Sequence, residues 1–292
     1  MVSKVFFVLQ LFSMLLVSVG CSRHEKSANI FHYNEQSGIA TLDPAFAKNQ
    51  SIMWAVHQLF NTLVQTDDSL HFIPSLAKSW EESGDNLTFT FHLRTDVFFH
   101  DNIAFPRGEG RKLIASDVVY SFSRIMDKNT ASSGAWIFND RVDSLAPFTA
   151  IDDSTFQLKL RSPFHPVLGI LSMQYCSVIP HEVAEKFGKD FRSHPCGTGP
   201  FQMVAWEEGQ ALILKRNSFY FEKDATGKSL PYLNGIKVTF FENKATEFLE
   251  FQQGRLDFIN DIDASFKDEI LTKQGDLRKD WKNKIALQKH PY

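Results

Sequence analysis

Residues 87–101 read LTFTFHLRTDVFFHD: two histidines, two aspartates and an arginine set among phenylalanines. Leu87, Phe89, Phe91 and Leu93 alternate with Thr88, Thr90, His92 and Arg94. A period of two over this length predicts a half-buried strand, with His92 and Arg94 on its wet face. The preceding Ser83-Gly84-Asp85-Asn86 is turn chemistry and predicts a hairpin. TDVFFHD then predicts a turn and a second short strand. His92 and His100 lie eight positions apart with no third ligand between them, so no metal spacing is met. The polar residues of this stretch read as scaffold.

The same reading extends outward. IFHYN (30–34) predicts a first strand, and SGIATLDPAFA (37–47), with Gly38 and Asp43-Pro44, a loop. In the stretch that follows, Ile52, Val56, Leu59, Phe60 and Leu63 recur at helical spacing, with Asn49 or Ser51 as cap. ASDVVYSFSRIMD (115–127) predicts a helix capped by Ser116, with Asp117 in its first turn and Val118, Val119, Phe122, Ile125 and Met126 inward. STFQLKL (154–160) alternates as a strand, and HEVAEKFG (181–188) is a short helix ended by Gly188. His181 and Glu185, one turn apart, read as surface residues and not as a metal pair. FQMVAWEEGQALILKRN (201–217) predicts a hairpin turned at Glu208-Gly209. Residues 236–259 predict strand, helix and strand, with Asn243 as cap, Phe248, Leu249 and Phe251 buried, and Gly254 as stop. A parallel pair with a crossover helix is the economical arrangement.

The 292 residues are 43% hydrophobic, enough for one large or two medium domains. A formal net charge of −3 speaks against nucleic acid as a partner. No phosphate-binding glycine loop, GxSxG or CxxC pair is present, so no nucleophile or cofactor motif points to an enzyme. Residues 1–21, MVSKVFFVLQLFSMLLVSVGC, place Lys4 before a short apolar run, the pattern of an export signal. Its end, Gly20-Cys21, resembles a lipoprotein cleavage site, with Ser18 where leucine is usual. Cys21 is then the lipidation site, and several acyl chains hold the protein on the membrane. SRHEKSAN (22–29) reads as a tether. Loss of residues 1–21 removes Lys4 and no acid, moving the net charge from −3 to −4. Export to an oxidising compartment allows a disulfide between Cys176 and Cys196; two separate buried thiols are the alternative.

Five motifs in order carry a family resemblance. They are LDPAFA (42–47), LAKSWEESGDNLTFTFHLRTDVFFHD (76–101), ASDVVYSF (115–122), GTGPFQMVAWEEGQALILKRNSFYF (197–221) and TEFLEFQQGRLDFI (246–259). Together they resemble the peptide/nickel class of extracellular solute-binding proteins, the binding components of oligopeptide and dipeptide ABC importers. Asp101-Asn102 stands where that family usually has Asp-Gly, and FPRGEGRK (105–112) replaces a tighter turn. The resemblance implies an α/β, periplasmic-binding-protein-like fold: a mixed-sheet lobe with an extra small α/β subdomain. Residues 30–66 and 163–292 would form the first lobe and residues 67–162 the additional subdomain. IALQKHPY (285–292) resembles the strand leading into the hinge. The expectation is therefore a fragment lacking the second lobe, the hinge return strand and the charged anchors for peptide ends.

The resemblance further implies a non-catalytic, monomeric lipoprotein facing the periplasm or exterior. It would capture peptides and deliver them to ABC permease subunits without a cofactor or metal. The loop Ser37, Gly38, Ile39 and Ala40 matches a segment that offers backbone to ligand, Gly38 allowing close approach. SSGAWIF (132–138) matches a segment closing one side of the cleft, so Trp136 would stack on ligand, core packing being the alternative for that ring. A surface adhesion or chaperone-like lipoprotein, or a binder of haem or a metal chelate, is the competing reading of the same fold.

Overall fold

The computed structural model describes residues 29–288. Cys21, the export signal, most of the tether and the end of IALQKHPY lie outside them. One sheet has the strand order β1 (Ile30–Asn34), β10 (Gly235–Thr239), β9 (Ala211–Arg216), β8 (Phe201–Glu207). A second has the order β4 (Ala77–Glu82), β5 (Thr88–Leu93), β7 (Thr155–Lys159), β6 (Phe148–Asp152). A two-stranded hairpin, β2 (Val64–Thr66) with β3 (Phe72–Pro74), lies between them in the chain. The helices are α1 (Gln50–Leu59), α2 (Ala115–Met126), α3 (Val167–Leu171), α4 (His181–Phe187), α5 (Lys244–Gln252) and α6 (Ala264–Ile270). The first sheet is mixed: β1 runs parallel to β10, and β10, β9 and β8 are mutually antiparallel.

The stretch 87–101 forms β5 as its alternation predicts. Phe89, Phe91 and Leu93 are buried, while Thr88, Thr90 and His92 are not. Phe91 sits opposite Phe156 of β7, and α2 drives Phe122 edge-on into Phe156 at 5.5 Å. Phe138 and Phe148 close on Phe122 at 5.1 and 5.6 Å, so five phenylalanines build this core in tilted and edge-to-face pairs. Asn86 takes the positive φ, 57°, at the β4–β5 turn. The predicted strand after Arg94 is absent: Phe98 makes a single bridge to Lys112, because the segment folds instead against the 105–112 loop.

Three other expectations are corrected. The cap of α2 is Ile114, and Asp117, not Ser116, satisfies its end by accepting the Ile114 N–H at 2.9 Å. Asp117 is 1% exposed and held by Arg111 through two bonds of 2.8 and 2.6 Å; Arg111 also grips Glu182 of α4 through two more. The loop FPRGEGRK thus supplies the cation that joins α2 to α4. On α5, Leu249 is 49% exposed while Glu247 is buried, because Glu247 accepts from Asn34 of β1 and pairs with Lys244. After α5 the expected strand is a single parallel bridge, Phe258 to Tyr33, so the crossover lands beside β1 and β1 lies between the bridge and β10.

The GTG of residues 197–199 is a packing device. A Cβ on Gly199 would stand 2.4 Å from the Leu59 carbonyl carbon, so only glycine lets this segment, just before β8, approach the end of α1. There Gly199 N–H donates to Leu59 C=O at 3.0 Å.

Candidate functional site

The loop that follows β1, Glu35–Asp43, is the chain's exit from the first sheet. Glu35 N–H still bonds Thr239 C=O at 2.9 Å, after which the chain leaves the ladder. Gly38 takes φ +66°, and its N–H closes a turn onto Glu35 C=O at 3.1 Å. A Cβ there would meet no protein atom within 4 Å, so what the chain's own fold asks of this glycine is the positive φ. The Glu35 carboxyl, under this turn, is raised above its usual range, chiefly by burial and further by the charge of Glu247.

Ile39 is buried in the core, while Ser37 and Ala40 lie nearer the surface. Among the described residues, the N–H and C=O groups of Ile39, Ala40 and Thr41 have no backbone hydrogen-bond partner. Pairing resumes with Leu42 N–H to Arg192 C=O at 2.8 Å. Further along, the Asn49 and Gln50 N–H groups at the start of α1 are also free and exposed; the Asn49 side chain caps Ile52 N–H at 3.1 Å. An extended chain could pair with such a strip, main chain to main chain.

Trp136 lies on a short 3-10 turn, Ala135–Ile137, and is 48% exposed, so core packing does not hold it. Arg141 fixes the turn by donating to the Trp136 and Ile137 carbonyls at 3.0 and 3.2 Å, with its guanidinium 5.7 Å from the indole. No hydrogen bond or ring contact joins Trp136 to Ser37–Ala40 among the described residues. The two segments meet indirectly: Ser132 Oγ donates to Ala45 C=O at 2.5 Å, and Gly134 N–H donates to Ser132 Oγ at 3.0 Å. Between these segments Asp43 accepts Arg124 Nη1 and Nη2 at 2.9 and 2.6 Å. Neither Arg124 nor Ser132 stands out in the sequence as a functional residue. An arginine between Phe122 and Ile125 on the inward half of a helix was the available signal, since such a charge requires a carboxylate.

Cys176 and Cys196 are separate, buried thiols, each pushed above the ordinary thiol range by burial. The Cys196 thiol donates to His100 C=O at 3.3 Å. His100 is 4% exposed, with Nε2 at 3.0 Å from Gly199 C=O, which only an N–H satisfies. Burial pushes its pKa down to about 4, against the smaller opposing effect of the Gly199 bond. The ring is therefore neutral and structural. Arg94 lines an open polar depression of about 510 Å³ with Gln65, Ser75 and Glu222. Its guanidinium is occupied by two bonds to Asp96, 3.0 and 2.7 Å, and stacks on Phe221 at 4.9 Å. Asp101 accepts Gly110 N–H at 2.9 Å. No group of three or more potential metal ligands occurs among the described residues.

A family profile described as bacterial extracellular solute-binding proteins, family 5, middle region, matches residues 71–287. Heme-binding protein A of Haemophilus influenzae is 30% identical over 247 residues, covering 80% of this chain and 44% of that protein. The dipeptide-binding protein of Escherichia coli is 32% identical over 176 residues, covering 56% of this chain and 32% of its own. Among solved structures, the periplasmic binding protein DppA of Helicobacter pylori in complex with the peptide STSA superposes with a TM-score of 0.72. It is 27% identical, with 83% of this chain and 48% of that one covered. This chain thus spans less than half the length of these relatives.

Proposed function

The chain belongs to the bacterial extracellular solute-binding proteins of family 5, the peptide/nickel class, and on that premise we propose that it captures peptides for an ABC importer. Capture is non-catalytic and takes place outside the cytoplasmic membrane, where acyl chains on Cys21 hold the protein near its permease. Residues 30–66 and 163–292 act as the lobe and residues 67–162 as its subdomain. The observation that carries the reading is the unpaired backbone of Ile39–Thr41. These groups follow the carboxyl end of β1, which runs parallel to β10, and ligands of open α/β sheets lie beyond the carboxyl ends of such strands. A peptide pairing with Ile39–Thr41 gains affinity without reading sequence, and the exposed face of Trp136 offers a platform for one side chain. The peptide STSA bound to the H. pylori protein supports the substrate class.

A second reading, haem as the ligand, is favoured by one observation: the haem-binding relative matches four-fifths of this chain. Titration of one preparation with Ser-Thr-Ser-Ala, glutathione and haem separates the two. Saturation-transfer NMR signals on the tetrapeptide, with no shift of the haem Soret band, support the peptide reading. A saturable Soret shift with no transfer to the peptide refutes it.

A further inference from the structure

The free backbone groups of this segment fall on either side of Asp43, with Ile39–Thr41 before it and Asn49–Gln50 after it. Asp43 is 4% exposed and fully occupied. Its carboxylate accepts Ala45 N–H at 3.0 Å and both Arg124 bonds, and its own N–H donates to Thr41 Oγ1 at 3.0 Å. Arg124 comes from α2, with its guanidinium 5.5 Å from the Phe191 ring. The next residue, Arg192, supplies the carbonyl that holds Leu42 N–H. Two residues beyond Asp43, Ser132 reaches Ala45 from the turn that carries Trp136. One short turn is thus clamped from α2, from the Gly188–Ser193 segment and from the Trp136 loop.

A buried carboxylate with this many charge-assisted bonds has one low-energy geometry, and displacing either partner strands a charge. A strip that had to be ordered on binding would lose conformational entropy at that moment; a clamped one has lost it already. We infer that Arg124 and Ser132 are positioning residues, which hold the Asp43–Ala45 turn so that the free backbone strip and Trp136 meet a peptide as one rigid surface. Neither touches the ligand. The inference rests on the proposal that the strip and Trp136 face a peptide.

Hydrogen-exchange mass spectrometry on the full chain in mild detergent tests it, with and without Ser-Thr-Ser-Ala at tens of millimolar. Arg124→Gln removes bonds to a charged group, so exchange at the hydrogen-bonded amides that frame the strip, Leu42 and Ala45, and at Gly134 and Ala135 should rise together by about tenfold or more. Ser132→Ala should raise exchange at Gly134–Trp136 while leaving β5 and α2 unchanged. Both variants should lose peptide-induced protection of the strip. Arg111→Gln, which strikes the α2–α4 joint, is the control for plain destabilisation. The inference is overturned if Leu42, Ala45 and the Trp136 turn exchange as in wild type in both variants. It is equally overturned if exchange rises across the whole chain in the pattern of Arg111→Gln. Absence of peptide protection in the wild type sinks the peptide reading instead, while the joint exchange of the two loops still decides whether Arg124 and Ser132 position them.

Discussion

His100 should make this protein acid-sensitive in a way that one substitution removes. Its folded pKa is held down to about 4 by burial, against an unfolded value near 6.5. The unfolded chain therefore binds a proton that the folded chain refuses. Stability contributed by the neutral ring is fully present above about pH 6.5 and is lost as pH falls towards 4. Between pH 7.5 and 4.5 the linkage amounts to roughly 2–3 kcal/mol, which for a chain of this size is a fall in Tm of roughly 3–5 °C. His100→Gln keeps an N–H for Gly199 C=O and cannot titrate. It should cost some stability at pH 7.5 and narrow the gap to wild type at pH 4.5. Circular-dichroism melts of both proteins at the two pH values measure the difference of differences. Equal pH dependence in the two proteins would show that His100 is not buried neutral beside Gly199, and the packing of the GTG segment against α1 would have to be redrawn.

Other outcomes follow from the same geometry. Arg111→Ala leaves Asp117 buried and unpaired and should cost about 3–5 kcal/mol, seen as a lower urea midpoint; a loss under about 1 kcal/mol would mean that water replaces the guanidinium. Arg94→Ala and Asp101→Ala should lower Tm by a few degrees, the first through its Asp96 bonds and Phe221 stacking, about 1–2 kcal/mol. A large loss of peptide binding at unchanged Tm would make either a ligand residue. Cys21→Ala should move the protein from the detergent phase to the aqueous phase, and partitioning like the wild type rejects lipidation at that residue.

What was legible in the sequence was what local chemistry decides. The alternation of Phe89, Phe91 and Leu93 specifies its own face, the Asn49 side chain caps its own helix, and Gly209 takes the positive φ, 73°, of its own hairpin. The corrections share a different origin. Asp117 wins over Ser116 at α2 because Arg111 and Glu182, far apart in the chain, converge on one end of the helix. Glu247 is buried and Leu249 is not because Asn34, 213 residues away, lies under that turn of α5. The strand expected after Gly254 shrinks to one bridge because, among the described residues, it pairs with β1 at Tyr33 alone. For the candidate site, the loop at Ser37–Ala40 was readable as a loop. Its unpaired carbonyls, and the clamp of Arg124 and Ser132 behind it, depend on neighbours 81 and 87 positions from their partners.

The strength of peptide binding tests the central claim most directly. Three or four backbone bonds to Ile39–Thr41, each worth about 0.5–1.5 kcal/mol against competing water, barely offset the several kcal/mol lost on immobilising a peptide. Titration of this chain with Ser-Thr-Ser-Ala should therefore give weak but saturable binding, with a Kd in the millimolar range. Ala40→Pro, which deletes one exposed N–H of the strip, should abolish the binding with little change in Tm. Submicromolar binding, or binding unchanged by Ala40→Pro, would contradict the account and place the peptide site elsewhere on the chain.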